Sequence, residues 1–216
     1  MIEIGQLLSK TVDTIYSQAM GKLVPIKDVP FWYVRHGQTD WNLENRAMGQ
    51  TDIPLNAHGE HQAVVARSCL VGEKIATICH SPLSRAKRTA EIFNEVLDCK
   101  LVEIEELREF NLGPYEGRIK GDWFQDWKTG MELPQTEFYV NFMNRALVGI
   151  NKALSFSGPV LIVAHGGVYW AIEQALQVIA KEGIQNCVPV FHKPTINEKW
   201  QIQEVFPKGN PFSKGN

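Results

Sequence analysis

The sequence predicts an α/β fold: a three-layer α/β/α sandwich with a mainly parallel sheet and an antiparallel edge strand. Two observations carry that expectation. Short apolar runs alternate along the chain with segments of helical periodicity, the pattern of strands joined by crossover helices. Most of these runs are apolar throughout, which suits strands covered on both faces. Only EKWQIQEV (198–205) alternates polar and apolar residues, as an edge strand does.

The elements follow in order. In MIEIGQLLSKTVDTIYSQAM, Ile4, Leu8, Val12 and Ile15 recur at helical spacing. Residues 1–29 therefore read as an amphipathic helical extension, packed on the body of the protein or used in self-association. Glu3 and the interspersed polar residues set this stretch apart from a signal peptide. FWYVR (31–35) predicts a buried strand, and NAHGEHQAVVARSCL a helix capped by Asn56 and weakened by Gly59. IATICH (75–80) is a second strand, SRAKRTAEIFNEVL (84–97) a helix with Ser84 as cap, and LVEI (101–104) a short strand. TEFYVNFMNRALVGINKALSF (136–156) predicts a long helix, PVLIVAH (159–165) an apolar strand and GVYWAIEQALQVI (167–179) a helix. One domain spans 30–206 with a lid segment at about 112–142, and 207–216 form a flexible tail.

Composition narrows the function classes. A net charge of −2 gives no bulk positive surface for nucleic acid or membrane, and no apolar run has the length of a bilayer span. Cys69, Cys79, Cys99 and Cys187 are scattered and form no CxxC pair. They read as free thiols in a reducing, cytoplasmic setting. No carboxylate cluster suggests magnesium, and His58 and His61 alone do not make a metal site; neither metal nor cofactor is expected. A P-loop and a GxSxG elbow are both missing.

Three strands end in chemically loaded stretches: VRHG (34–37), CHSPLSR (79–85) and VAHGG (163–167). Ligands of open α/β sheets bind beyond the carboxyl ends of strands. If these strands are parallel neighbours, Arg35, His36, Arg85 and His165 converge on one rim. Two guanidinium forks match phosphate oxygens. Gly37 and Gly166 allow backbone N–H groups close to an anion, and a helix start after His165 favours negative charge. A histidine can also attack phosphorus, provided that its other ring nitrogen keeps its proton. Each piece alone has an ordinary reading, as a hydrogen-bonded histidine or a solvated arginine; their conjunction points to a phosphoryl group.

VRHGQTDWN (34–42), GQTDIPLNAHGEHQA (49–63), SPLSRAKRTAE (81–91), LREFNLGPYEG (107–117) and VAHGG (163–167), in this order, resemble the histidine phosphatase superfamily. That group contains the cofactor-dependent phosphoglycerate mutases and many small phosphatases. The resemblance spans roughly residues 30 to 180. It implies His36 as a nucleophile that becomes transiently phosphorylated. Arg35, Arg85 and His165 would grip the non-bridging oxygens, with Thr39 and Asn42 completing the grip. Glu109 would protonate the leaving oxygen and then act as base for water. Among Glu105, Glu106, Glu109 and Glu116, only the family's spacing singles out Glu109.

The expected substrate is a small phosphorylated metabolite or other phosphomonoester. Mutases of the family carry a long insertion with an adjacent arginine pair before the second histidine. Here 56 residues separate Glu109 from His165, and the arginines between them, Arg118 and Arg145, are not adjacent. Hydrolysis is therefore expected over transfer, with a phosphoglycerate-type phosphomutase and a non-catalytic phospho-ligand module as alternatives. Trp123, Phe124, Trp127, Phe138, Tyr139 and Phe142 either line the substrate pocket or pack the lid segment onto the domain. His80 reads as a hydrogen-bonded residue at a strand end.

Overall fold

The computed structural model describes residues 23–178, 183–196 and 200–207. The helix expected near the N-terminus lies outside the described residues, as does most of the expected tail. Six strands form one sheet: β1 (Phe31–Arg35), β2 (Thr77–His80), β3 (Lys100–Glu103), β4 (Val160–Ala164), β5 (Val190–Pro194) and β6 (Trp200–Glu204), in the order β3-β2-β4-β1-β5-β6. β3, β2, β4 and β1 run parallel. β5 pairs antiparallel with both β1 and β6. β6, which falls within the alternating stretch, thus ends the sheet in an antiparallel pair with β5, a strand that the sequence pattern does not predict. Its sequence, VFHKP, breaks the apolar pattern with a histidine, a lysine and a proline.

The central strands are buried on both faces because both faces are covered. Phe31 and Tyr33 of β1 and Ile162 of β4 join one core cluster with the helices α5 (Tyr139–Ala153) and α6 (Gly166–Leu176). Trp32 and Val34, pointing the other way, join Leu161, Val163 and Ile78 beneath α2 (Ala57–Ala66) and α3 (Ser84–Leu97). Strand periodicity thus sorts β1 into two cores. Each fully buried apolar side chain contributes about 1.5–3 kcal/mol.

Among the described residues are also two short α-helices, α1 (Asp40–Leu43) after β1 and α4 (Asp122–Lys128) in the expected lid segment. The helix expected over 136–156 is shorter at both ends, because Thr136 and Glu137 are engaged in turn and side-chain bonds. Ser84 is the first helical residue rather than the cap; its backbone N–H and hydroxyl both donate to Asp52 Oδ1 at 2.8 Å. The cap therefore comes from a distant loop. The aromatics of 118–142 pack rather than line a pocket: Phe124, Trp127, Tyr139 and Phe142 are buried in the core, while Phe138 is exposed.

Asn56 caps α2, its Oδ1 accepting the Gly59 N–H at 2.8 Å. Gly59 is at this point for packing. A Cβ there would lie 2.1 Å from the Gln38 carbonyl oxygen, and one on Gly37 would lie 2.4 Å from the Gly59 carbonyl oxygen. The first turn of α2 thus sits directly against the loop that leaves β1. Gly59→Ala gains up to ~1 kcal/mol of helix propensity but forces backbone against backbone, an overpacking cost of about 1–3 kcal/mol or more. The expected result is a net loss of stability, read as a lower urea midpoint; an unchanged or higher midpoint would contradict this packing.

Candidate active site

The sheet order brings the loaded strand ends together. β1 and β2 flank β4, with Arg35 opposite Ala164 and His80 opposite Val163. The residues that follow these strands therefore emerge on one rim, and the His36 N–H donates to the Ala164 carbonyl at 3.0 Å. They border a cavity of about 190 Å³ walled by Arg35, His36, Asn42, Arg85, Glu109, Lys120 and Gly166, with Met48, Phe110, Trp170 and Ile184 as its main apolar surface.

His36 is 2% exposed, and its Nδ1 lies 2.7 Å from the Gly37 carbonyl oxygen. A carbonyl only accepts, so Nδ1 holds the proton and Nε2 carries the lone pair. Asn186 Nδ2 donates to the His36 carbonyl at 2.6 Å, and the ring centroid is 5.2 Å from that of His165. Burial, followed by the charges of Arg85 and Arg35, holds the His36 imidazole well below its ordinary pKa of 6.5. His36 is neutral at pH 7.

The two arginines are anchored by backbone carbonyls. Arg35 Nη1 donates to the Ile184 carbonyl at 3.1 Å. Arg85 donates through Nη1 to the Thr51 carbonyl at 3.1 Å and through Nη2 to the Gly49 carbonyl at 2.8 Å. The Nε of each is buried without a protein partner. Burial lowers the affinity of both for their proton, Arg85 to about 10, so both remain cations at neutral pH.

His165 is fully buried and stands behind the cavity wall, next to His36. Its Nε2 lies 2.8 Å from Ser81 Oγ, its Nδ1 has no protein partner, and Tyr33 Oη donates to its carbonyl at 2.6 Å. Ser81 Oγ also accepts the Leu83 N–H at 3.3 Å. Burial and Arg85 push the His165 pKa well below 6.5.

Glu109 is 7% exposed and reaches the cavity from the loop after β3. Its Oε2 accepts the Gly167 N–H at 3.1 Å and its Oε1 accepts the Phe110 N–H at 3.3 Å. Burial raises its pKa, against the lowering pull of these bonds and of Arg85 and Arg35. A Cβ on Gly167 would lie 2.3 Å from Glu109 Oε1 and 2.7 Å from the Phe110 ring, so a larger residue there would displace the carboxyl.

The neighbouring acids have other tasks. Glu105 pairs with Arg108, and Glu106 with Lys152. Glu116 latches a turn: Oε1 accepts the Gln50 and Leu112 N–H groups at 2.9 and 3.1 Å, and Oε2 accepts the Thr51 N–H at 2.8 Å and the Thr51 hydroxyl. That turn supplies the carbonyls that hold Arg85.

The structure thus places Arg35, His36, Asn42, Arg85, Glu109 and Gly166 on one wall, with His165 behind it. Thr39 is buried as the cap of α1, bonded to Asn42 at 3.2 Å. Gly37 donates its N–H to Thr89 Oγ1 at 3.1 Å rather than into the cavity. Lys120, Trp170 and Phe110 are wall residues that the sequence reading missed. Lys120 follows the LGPYEG turn at a spacing with no periodic signal, and Trp170 reads as one more apolar residue of α6. Phe110 is adjacent to Glu109 and lies outside the aromatic-rich 118–142 segment. His80 Nδ1 lies 2.9 Å from the Ser81 carbonyl, while His58 and His61 are exposed.

The profile of the histidine phosphatase superfamily (branch 1) matches residues 31–189. The chain is 39% identical over 141 residues to the uncharacterized phosphatase PhoE of Bacillus subtilis, a match covering 64% of this chain and 72% of that one. It is 46% identical over 150 residues to a probable phosphoglycerate mutase GpmB of Klebsiella pneumoniae, covering 62% and 68%. Among solved structures, a mycobacterial glucosyl-3-phosphoglycerate phosphatase complexed with VO3 superposes with a TM-score of 0.67 at 25% identity, covering 81% of this chain and 97% of that one. A Thermus thermophilus protein gives 0.67 at 28% identity, covering 82% and 99%. The family match takes in all four parallel strands and every residue of the cavity wall, and so the chain belongs to branch 1 of the histidine phosphatase superfamily.

Proposed function

We propose that this protein is a phosphomonoester hydrolase acting through a phosphohistidine on His36. The observation that carries this reading is the orientation of the His36 ring. Nδ1–H is committed to the Gly37 carbonyl, which leaves Nε2 as the unprotonated nitrogen in a wall shared with two buried guanidinium groups.

Nε2 attacks phosphorus and the P–O ester bond breaks. Glu109, whose raised pKa favours the protonated form, gives its proton to the departing oxygen. A water then attacks the phosphohistidine, the Glu109 carboxylate takes a proton from it, and phosphate leaves with His36 restored. Arg35 and Arg85 hold the equatorial oxygens, with Asn42 and the α6 N-terminus at Gly166 beside them and His165 behind His36. Such charge stabilisation supplies much of the catalysis in phosphoryl transfer.

Hydrolysis is favoured over transfer because the arginines between Glu109 and His165 are engaged elsewhere. Arg145 is bound to Glu137, and Arg118 stacks over Tyr115 at 4.4 Å. At about 190 Å³ the cavity is smaller than the roughly 300–1,000 Å³ of drug-sized sites, which suits a small phosphorylated metabolite. A phosphomutase is the second reading. Lys120 favours it, as a further cation on the wall that would meet a second anionic group of a substrate.

Phosphate release from a panel of monoesters in EDTA should persist, and His36→Ala should lower it on the order of 10³-fold or more. Release by the variant at the wild-type rate would contradict the nucleophile. Turnover only after priming with a bisphosphate would establish the mutase, and phosphate-ester binding with no turnover would establish a binding module.

The pH profile has a definite sign. His36 titrates below 6.5, so the nucleophile stays neutral through pH 6.5 and is lost as pH falls through its lowered pKa. Glu109 titrates above 4.5, so the acid is lost as pH rises through its raised value. kcat/KM should fall at the acid side as His36 gains a proton and at the alkaline side as Glu109 loses one, and an acid limb centred at or above pH 6.5 would contradict the assignment. Lys120→Met should raise KM about 10-fold or more for esters with a second anionic group, the worth of a charge-assisted bond. Monoesters with an uncharged alcohol should be unaffected; an equal rise for both would remove Lys120 from recognition.

A further inference from the structure

Arg145 lies on α5, away from the cavity wall, yet its guanidinium is fully committed. Nε and Nη2 donate to the two oxygens of Glu137, each at 2.8 Å. Nη1 donates to the carbonyls of Glu106 at 3.0 Å and Arg108 at 2.9 Å, and Nη2 to that of Glu109 at 3.1 Å. These five bonds use all five donors of an arginine. Three of them fall on carbonyls within the four residues that end at Glu109.

Further contacts dock the same stretch on α5. A Cβ on Gly149 would lie 2.9 Å from the Glu106 carbonyl carbon, so helix and loop meet backbone to backbone. Glu137 carries the bracket onward, because its backbone N–H donates to the Asn111 carbonyl at 2.7 Å and its Oε2 accepts the Asn111 N–H at 3.2 Å. The chain on both sides of Glu109 is thereby tied to one ion pair. Gln50 Nε2 also donates to the Glu109 carbonyl, at 3.1 Å, from the turn that holds Arg85.

We propose that Arg145 is a positioning residue for the proton donor: with Glu137 it fixes the main chain of 106–111, so that the Glu109 carboxyl stands at the leaving oxygen. This inference rests on the reading of Glu109 as general acid. The planar fork is what the task requires. A lysine keeps the charge but has three donors on one nitrogen, and it cannot hold a carboxylate and three carbonyls in one plane. The nucleophile and the phosphate cradle are built on β1, β4 and α3, and Arg145 and Glu137 bond directly to none of Arg35, His36 and Arg85.

The test compares kcat/KM, which reports the steps up to departure of the alcohol and not the later hydrolysis, on an alkyl phosphate, whose leaving oxygen needs a proton, and on p-nitrophenyl phosphate, whose leaving oxygen needs little. Arg145→Lys should lower kcat/KM ~30-fold or more on the alkyl ester and less than about threefold on the nitrophenyl ester, since general acid catalysis is typically worth 10²–10⁴-fold. Glu137→Gln should show the same selectivity to a smaller extent, and it carries the test if Arg145→Lys does not fold by circular dichroism. Equal losses on the two esters, or none, in the folded variants would overturn the inference. Glu109→Gln, run alongside, separates the two levels: if that variant shows no leaving-group selectivity, it is the assignment of Glu109 as acid that fails.

Discussion

Arg35 and Arg85 stand as cations in the wall of the cavity, Arg85 fully buried and Arg35 half-buried, and much of the surrounding architecture deals with that charge. Burying a charge is unfavourable unless hydrogen bonds and countercharge replace its hydration. Here backbone carbonyls of Ile184, Gly49 and Thr51 take part of the donor capacity, and both Nε groups are left over. A phosphoryl group, with three oxygens and two negative charges, is the natural complement. Burial first, and then the same field, keeps His36 neutral, the state that the proposed nucleophile requires.

Glu109 sits in that field under opposing influences. Burial favours its protonated form, while the arginines and two backbone N–H groups favour the carboxylate, and burial prevails. A bound phosphate adds negative charge beside it, which pushes further toward the protonated form. Loss of the leaving group and arrival of water reverse the requirement. A carboxyl balanced between the two states suits a group that first gives a proton and then takes one. The Glu109 carboxyl is held by the Gly167 N–H beyond the end of β4, and its main chain by the Arg145–Glu137 bracket.

The strand-end residues were legible because they are local. Apolar runs located β1, β2 and β4, and the tripeptides at their ends named the chemistry that parallel pairing then collected. What the sequence hid is mostly long-range. The carbonyls that hold Arg85 lie 34 and 36 residues away, and Arg145 reaches Glu109 across 36. Asp52 replaces Ser84 as the cap of α3 for the same reason. β5 was hidden because pairing between two strands tolerates a histidine and a proline that composition reads as loop. Thr39 and Gly37 resembled phosphate contacts in sequence, yet the backbone engages them in a helix cap and in packing against α2. Of the candidate acids, Glu116 latches the turn that holds Arg85 while Glu109 borders the cavity, and only their places in the fold separate them.

The central claim is a covalent phosphoryl group on His36, and mass spectrometry of protein quenched in alkali during turnover tests it most directly. Glu109→Gln fed p-nitrophenyl phosphate should accumulate the intermediate, because the activated ester needs little proton donation while the second step has lost its base. The account predicts one phosphoryl group per chain, on the peptide containing His36 and absent when His36→Ala is added. A phosphoryl group on another residue, or turnover with none at all, would contradict it.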